Sequence, residues 1–151
     1  MIMKSLNIGN KAPKFSYKNS DGNKDSLDNY LGSKVLLCFY PKDNTPGCTS
    51  EACSLSESIV KFDEQKVKVF GISKDNEVSH QKFVSKYNLK ITLIPDPELK
   101  IITKYGVLND KGSAKRTTFL IDEDGKIINI WFKVNTKAHA EEVLQFIDEN
   151  S

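Results

Sequence analysis

Val35-Leu36-Leu37-Cys38-Phe39-Tyr40-Pro41-Lys42-Asp43-Asn44-Thr45-Pro46-Gly47-Cys48-Thr49-Ser50-Glu51-Ala52-Cys53 joins a strand to a helix through a loop of turn-forming residues. Its first six residues are a continuous apolar run with the length and aromatic or β-branched content of a buried strand. Thr45 followed by Pro46 suits a helix N-cap with proline at the first helical position, which places Cys48 in the first turn. A helical-looking stretch at residues 55–62 lies beyond it. A thiol at a helix start sits at the positive end of the helix dipole, where thiolate is favoured over thiol. The chain therefore presents a strand, a tight loop and an activated cysteine in direct succession.

Outward from this stretch, apolar runs recur at residues 67–72, 91–94 and 119–121. Segments of helical length separate the first three runs, the last of them ending in residues 81–87. Strands alternating with helices predict βα units and a largely parallel sheet. The pattern then changes: Asp122-Glu123-Asp124-Gly125 is a hairpin turn followed by an apolar stretch at 127–132. Ala140, Val143, Leu144 and Ile147 recur at helical spacing and predict a closing amphipathic helix. Near the start, the turn at residues 19–23 separates two short segments able to pair as a hairpin. Together these elements predict an α/β chain with a thioredoxin-like fold: a central mixed β-sheet flanked by helices, with an N-terminal β-hairpin extension.

At 151 residues and 38% hydrophobic content, residues 1–151 are expected to form a single domain. Lysine and arginine number 22 against 20 acidic residues, a net charge of +2 that is dispersed along the chain and argues against nucleic acid as the main partner. Residues 1–5 lack the apolar core of a signal peptide, and no run is long enough to cross a bilayer, so a cytoplasmic location without membrane partners is expected. Three cysteines in a reducing compartment favour catalysis or redox cycling over a structural disulfide framework. A zinc site would need more close-set ligands than Cys48 and Cys53, and the two histidines, His80 and His139, fall on separate predicted helices. Neither histidine lies in a cysteine-hydrolase motif, glycine-rich phosphate signatures are absent, and no cofactor is expected.

The spacing Pro-x-x-x-Thr-x-x-Cys of Pro41, Thr45 and Cys48 resembles the peroxidatic loop of peroxiredoxins. Cys53, five residues beyond Cys48, resembles the second cysteine of the bacterioferritin-comigratory (Q-type) subgroup. Residues 7–15, 69–75 and 116–122 resemble the family's opening, its second core strand and the segment carrying its catalytic arginine, so the resemblance covers nearly the whole chain. It implies the same thioredoxin-like architecture and a thiol-dependent peroxidase that reduces hydrogen peroxide and organic hydroperoxides. In that mechanism Cys48 attacks the peroxide, Cys53 condenses with the resulting sulfenic acid, and thioredoxin or a similar dithiol reduces the disulfide. Arg116, the only arginine, would hold the sulfur and the peroxide in line. The Thr45 hydroxyl would bond the thiolate or the bound peroxide, and Pro41 would shield the thiolate. Gly47 would allow close backbone approach to substrate. Glu51 is read as a helix-dipole residue without a catalytic role, and Cys38 as a small hydrophobe of the core. Residues 106–115 depart from the subgroup in being short and lacking its tyrosine-containing stretch, which bears on substrate preference and assembly; a monomer or weak homodimer is expected.

Helix geometry adds one expectation. Five residues on one continuous helix turn about 140° and rise about 7.5 Å, which sets the Cα atoms of Cys48 and Cys53 roughly 8.7 Å apart. A disulfide tolerates at most about 7 Å, so the segment must unwind for the two sulfurs to bond.

Overall fold

The computed structural model describes residues 6–150. Residues 1–5, read above as lacking a signal-peptide core, lie outside the described residues. The chain opens with the expected antiparallel hairpin, β1 (Ser16–Lys18) against β2 (Lys24–Ser26). A 3-10 turn at Leu27–Tyr30 leads into β3 (Lys34–Phe39), the strand of the quoted apolar run. Then follow α1 (Pro46–Glu57), α2 (Ile59–Glu64), β4 (Val67–Ser73), α3 (Glu77–Tyr87), β5 (Thr92–Pro95) and α4 (Lys100–Lys104). The chain closes with β6 (Thr117–Ile121), β7 (Ile127–Trp131) and α5 (His139–Glu149).

The sheet runs β5-β4-β3-β6-β7. β3 pairs in parallel with β4, and β4 with β5, whereas β6 runs antiparallel to both β3 and β7. This is the mixed sheet that βα units followed by a terminal hairpin predict. The hairpin turn is fixed by the Asp122 Oδ1 atom, which accepts from the N–H groups of Asp124 and Lys126, and by Gly125 at φ +86°. Among the described residues, no helix is long and apolar enough to cross a membrane.

Alternation along β3 sets the layers. Val35, Leu37 and Phe39 face one core with Phe15, Tyr17, Ile102, Tyr105 and Phe119, covered by the N-terminal segment and α4. Leu36 and Cys38 face the other, where Cys48, Ala52 and Leu55 of α1, Phe62 of α2, Phe83 of α3 and Ala140, Val143 and Ile147 of α5 pack. Cys38 is thus a core residue, as read from its place in the apolar strand. Its thiol is raised well above the ordinary cysteine value by burial, with Glu51 adding to the effect.

Two local readings differ. The helix starts at Pro46 as the Thr45-Pro46 pair predicts, but it does not run unbroken through residues 55–62: it breaks at Ser58, whose N–H turns back to the Leu55 carbonyl at 3.2 Å. α4 has no counterpart among the predicted elements, since its five residues are too short for helical periodicity to register. It opens on Leu99 at φ +61°, held by the Asp96 carboxylate, which accepts from the Ile102 N–H.

Candidate active site

Topology brings the site together at one end of the central strand. The loop after β3 leaves the carboxyl end of that strand, and Arg116 immediately precedes β6. Because β6 is antiparallel to β3 with Thr117 opposite Phe39, Arg116 arrives at the same end of the sheet as the loop. The short segment 106–115 folds into a tight turn: Leu108 bridges Ala114, and the Lys115 N–H donates to the Val107 carbonyl at 2.7 Å. That turn delivers Arg116 directly to the strand start.

Cys48 is the third residue of α1 and is 2% exposed. Arg116 Nη2 lies 3.4 Å from its Sγ atom, and Arg116 Nη1 lies 2.7 Å from Glu51 Oε1. One guanidinium therefore spans a thiol and a carboxylate one helical turn apart, a geometry that the planar fork of arginine supports and an ammonium does not. Cys53 lies on the same unbroken helix, half-buried, and all three cysteines are free. Burial raises the Cys53 thiol above its ordinary value, with Glu57 adding to the effect.

Thr45 occupies the N-cap position as expected, and its carbonyl accepts the Thr49 N–H at 2.8 Å. Its hydroxyl does not cap the helix. It donates instead to the Lys42 carbonyl at 3.0 Å, closing the loop on itself and leaving the oxygen lone pairs free to accept. Pro41 sits half-buried at the loop's start, where β3 pairing ends at Phe39 and only the Tyr40 N–H still reaches Ile72.

Gly47 matters through space. A Cβ built there would stand 3.1 Å from Arg116 Nη2 and 3.7 Å from its Cζ. Gly47→Ala is therefore expected to push the guanidinium aside and slow the peroxide reaction about tenfold, the equivalent of 1.4 kcal/mol in a barrier. Helix stability should hold or improve, because alanine exceeds glycine by up to about 1 kcal/mol in helices. An alanine variant with unchanged peroxide kinetics would remove this steric role.

Glu51 is the residue that sequence reasoning missed. A carboxylate five residues past a helix start reads as a dipole partner, yet Glu51 is 2% exposed and anchors Arg116. Burial raises its carboxyl to about 7, against the hydrogen bond and charge of Arg116, which lower it. Among the described residues, Oε2 has no hydrogen-bond partner. Folding thus takes up a proton between the ordinary value of 4.5 and about 7, so the stability supplied by the protonated carboxyl is complete below that window and is lost as pH rises through it. Glu51→Gln abolishes this titration. Its stability relative to wild type should rise between about pH 5 and pH 8, by up to about 3 kcal/mol at 1.36 kcal/mol per unit. A pH-independent difference in chemical denaturation would show that Glu51 is ionised throughout.

The signal that could have found Glu51 is helical spacing, since residues 48, 51, 52 and 55 share one buried face. The same face brings Cys38, Glu51 and His139 within 4.8 Å of one another, a juxtaposition that spacing along the chain hides. Both His139 ring nitrogens are engaged, Nε2 with Thr118 Oγ1 at 2.8 Å and Nδ1 with Glu142 at 3.4 Å.

Residues 8–130 match the AhpC/TSA family. The chain is similar to a bcp peroxiredoxin of Coxiella burnetii, with 44% identity across 93% of this chain and 97% of that one. It is similar to Peroxiredoxin Bcp of Bacillus subtilis at 38% identity, across 97% and 98% of the two chains. Among solved structures, a cysteine-to-serine mutant of PrxQ from Xylella fastidiosa superposes with a TM-score of 0.91 at 28% identity, covering 98% of this chain and 99% of the other.

Proposed function

Because the chain belongs to the AhpC/TSA family, as a thioredoxin-fold peroxiredoxin of the bacterioferritin-comigratory group with thiol-dependent peroxidase activity, we propose that Cys48 is its peroxidatic nucleophile and Cys53 its resolving cysteine. Arg116, Thr45 and Pro41 complete the catalytic surroundings, and Gly47 lets substrate and guanidinium approach. The observation that carries this assignment is the single guanidinium placed on both Cys48 Sγ and Glu51.

The Cys48 thiolate attacks the terminal peroxide oxygen. An S–O bond forms as the O–O bond breaks, and the departing oxygen takes up a proton to leave as water or alcohol. Ionisation alone is a small lever: lowering a thiol from pKa ~8.5 to ~6 raises its thiolate fraction about thirtyfold at pH 7, and lost nucleophilicity returns about tenfold. The larger contribution is stabilisation of the charge developing on the departing oxygen by fixed donors. Arg116 supplies them, held in place by Glu51. Thr45, its proton committed to the Lys42 carbonyl, accepts the peroxide O–H and orients the terminal oxygen toward sulfur. Pro41 walls the pocket without presenting an N–H.

Cys53 then condenses with the Cys48 sulfenic acid, forming the disulfide and releasing water, and an external dithiol such as thioredoxin returns both to thiols. Residues 1–151 act as one domain, a cytoplasmic monomer or weak homodimer without nucleic-acid or membrane partners. The test is a coupled assay with thioredoxin, its reductase and NADPH: consumption should depend on hydroperoxide. Turnover of disulfides without peroxide would identify a general oxidoreductase instead.

Both cysteines lie on unbroken α1 in the reduced protein, so oxidation must unwind the helix between them. Amide exchange across residues 48–53 is expected to accelerate after oxidation and recover on reduction. An oxidised form with the Cys48–Cys53 bond and full helical protection would overturn the unwinding step.

A further inference from the structure

The loop that carries Cys48 is held by a buried carboxylate–imidazole contact. Asp43 is 7% exposed, and its carboxylate accepts from Tyr40 Oη at 2.6 Å, Ser79 Oγ at 2.8 Å and His80 Nδ1 at 2.7 Å. The other ring nitrogen of His80, Nε2, faces the Ile94 carbonyl oxygen at 3.1 Å. Both ring nitrogens thus face oxygen atoms inside the core. Burial favours the neutral Asp43 carboxyl, but the hydrogen bonds from His80 and Tyr40 outweigh it and hold the group below the ordinary carboxylate value. Removing either member of such a pair strands the other in the core.

The remaining contacts have the same direction. The Asp43 N–H donates to Asp75 Oδ2 at 2.9 Å, and Asn44 Oδ1 accepts from Tyr87 Oη at 2.9 Å and Lys86 Nζ at 3.3 Å. Apart from Tyr40, every partner belongs to α3 or to the turn that precedes it. A second set of anchors begins just past Cys53: Ser54 Oγ accepts the Ala140 N–H at 3.2 Å, and Ser56 Oγ accepts the Lys90 N–H at 2.6 Å. Between the two sets lie residues 45–53, which contain both cysteines. Among the described residues, the side-chain hydrogen bonds of that segment are the one Thr45 donates to the Lys42 carbonyl and the two that Cys48 and Glu51 accept from Arg116.

We propose that Asp43 and His80 are positioning residues for the peroxidase reaction: their buried hydrogen bond holds the loop so that the first turn of α1 closes on Arg116, and so sets how readily residues 45–53 unwind. The inference rests on the assignment of Cys48 and Cys53 above. Its consequence is a trade between steps. A tight loop speeds attack on peroxide and delays disulfide formation. Delay exposes the sulfenate to a second hydroperoxide, which transfers its terminal oxygen to sulfur, yields sulfinic acid and leaves as water or alcohol.

The test compares full-length wild type with His80→Gln and Asp43→Asn. Rapid-mix kinetics with hydrogen peroxide are quenched for intact mass, and amide exchange is followed over residues 45–53 in the reduced proteins. We expect both variants to react with peroxide about tenfold more slowly, the scale of one charge-assisted hydrogen bond. Disulfide formation should be faster, sulfinic acid per turnover lower, and exchange over 45–53 accelerated. Tyr87→Phe, which removes only an Asn44 contact, should show the same split in milder form and serves if the buried-pair variants do not fold. Val84→Ala, which trims an α3 side chain packed on the core away from the loop, should leave the ratio of the two steps unchanged. Slowing of both steps together, unchanged exchange over 45–53, or an equal split in Val84→Ala would overturn the proposal. Failure of the underlying assignment reads differently: wild type would then form no Cys48–Cys53 disulfide, while the exchange comparison would still decide whether the pair governs the segment.

Discussion

Arg116→Ala is expected to slow the reaction with hydroperoxide by about a hundred- to a thousandfold, the cost of removing one preorganised transition-state donor. The fold should survive. Arg116 precedes β6 with a quarter of its side chain exposed, and it belongs to neither apolar cluster of the core, so the space it leaves is reachable by water. Glu51 loses its partner, but a carboxyl already raised to about 7 can take up a proton and stay buried. Lysine should rescue little, because a single ammonium cannot hold Glu51 at 2.7 Å while aiming a second donor at Cys48. Stopped-flow measurement of the first oxidation step decides it: near-wild-type kinetics in the alanine variant would remove Arg116 from the mechanism.

Cys48→Ser is expected to abolish peroxide reduction altogether, whereas Cys53→Ser should complete one fast oxidation and stall at the sulfenic acid or beyond. The contrast follows from their surroundings. Cys48 is buried against Arg116, while Cys53, farther along α1, meets no such donor among the described residues. Cys38→Ala should retain turnover, since Cys38 is a core residue with a thiol that burial keeps protonated. Intact-mass analysis after a stoichiometric peroxide pulse separates the outcomes. Sustained turnover of Cys53→Ser with thioredoxin would make Cys53 dispensable, and an intermolecular disulfide would assign resolution to a second copy.

The strand, loop and helix around Cys48 were legible because each carries a local signal: an apolar run, a Pro-rich turn and a Thr-Pro helix start. The mixed sheet was legible for a similar reason, from alternating elements and the Asp122–Gly125 turn. Thr45 was only half legible. Its backbone position follows from residue type, but where its hydroxyl points depends on how the loop folds over Lys42. Glu51 and Asp43 were misread or passed over because their partners are 65 and 37 residues away in sequence. A carboxylate's role is set by what packs against it, and that is decided by the antiparallel entry of β6 and the docking of α3. Helix α4 escaped for want of length.

The placement of Arg116 beside β6 also orders events as the chain folds. β3 and β4 are joined by local helices and can pair early, whereas the β3–β6 ladder closes a far longer loop and bears the greater entropy cost. Until that ladder forms, Cys48 has its helix start but no guanidinium. On the roles proposed for Cys48 and Arg116, a nascent or partly folded chain would therefore lack the donor that speeds attack on peroxide. On that proposal, full peroxide reactivity is acquired late, with completion of the sheet.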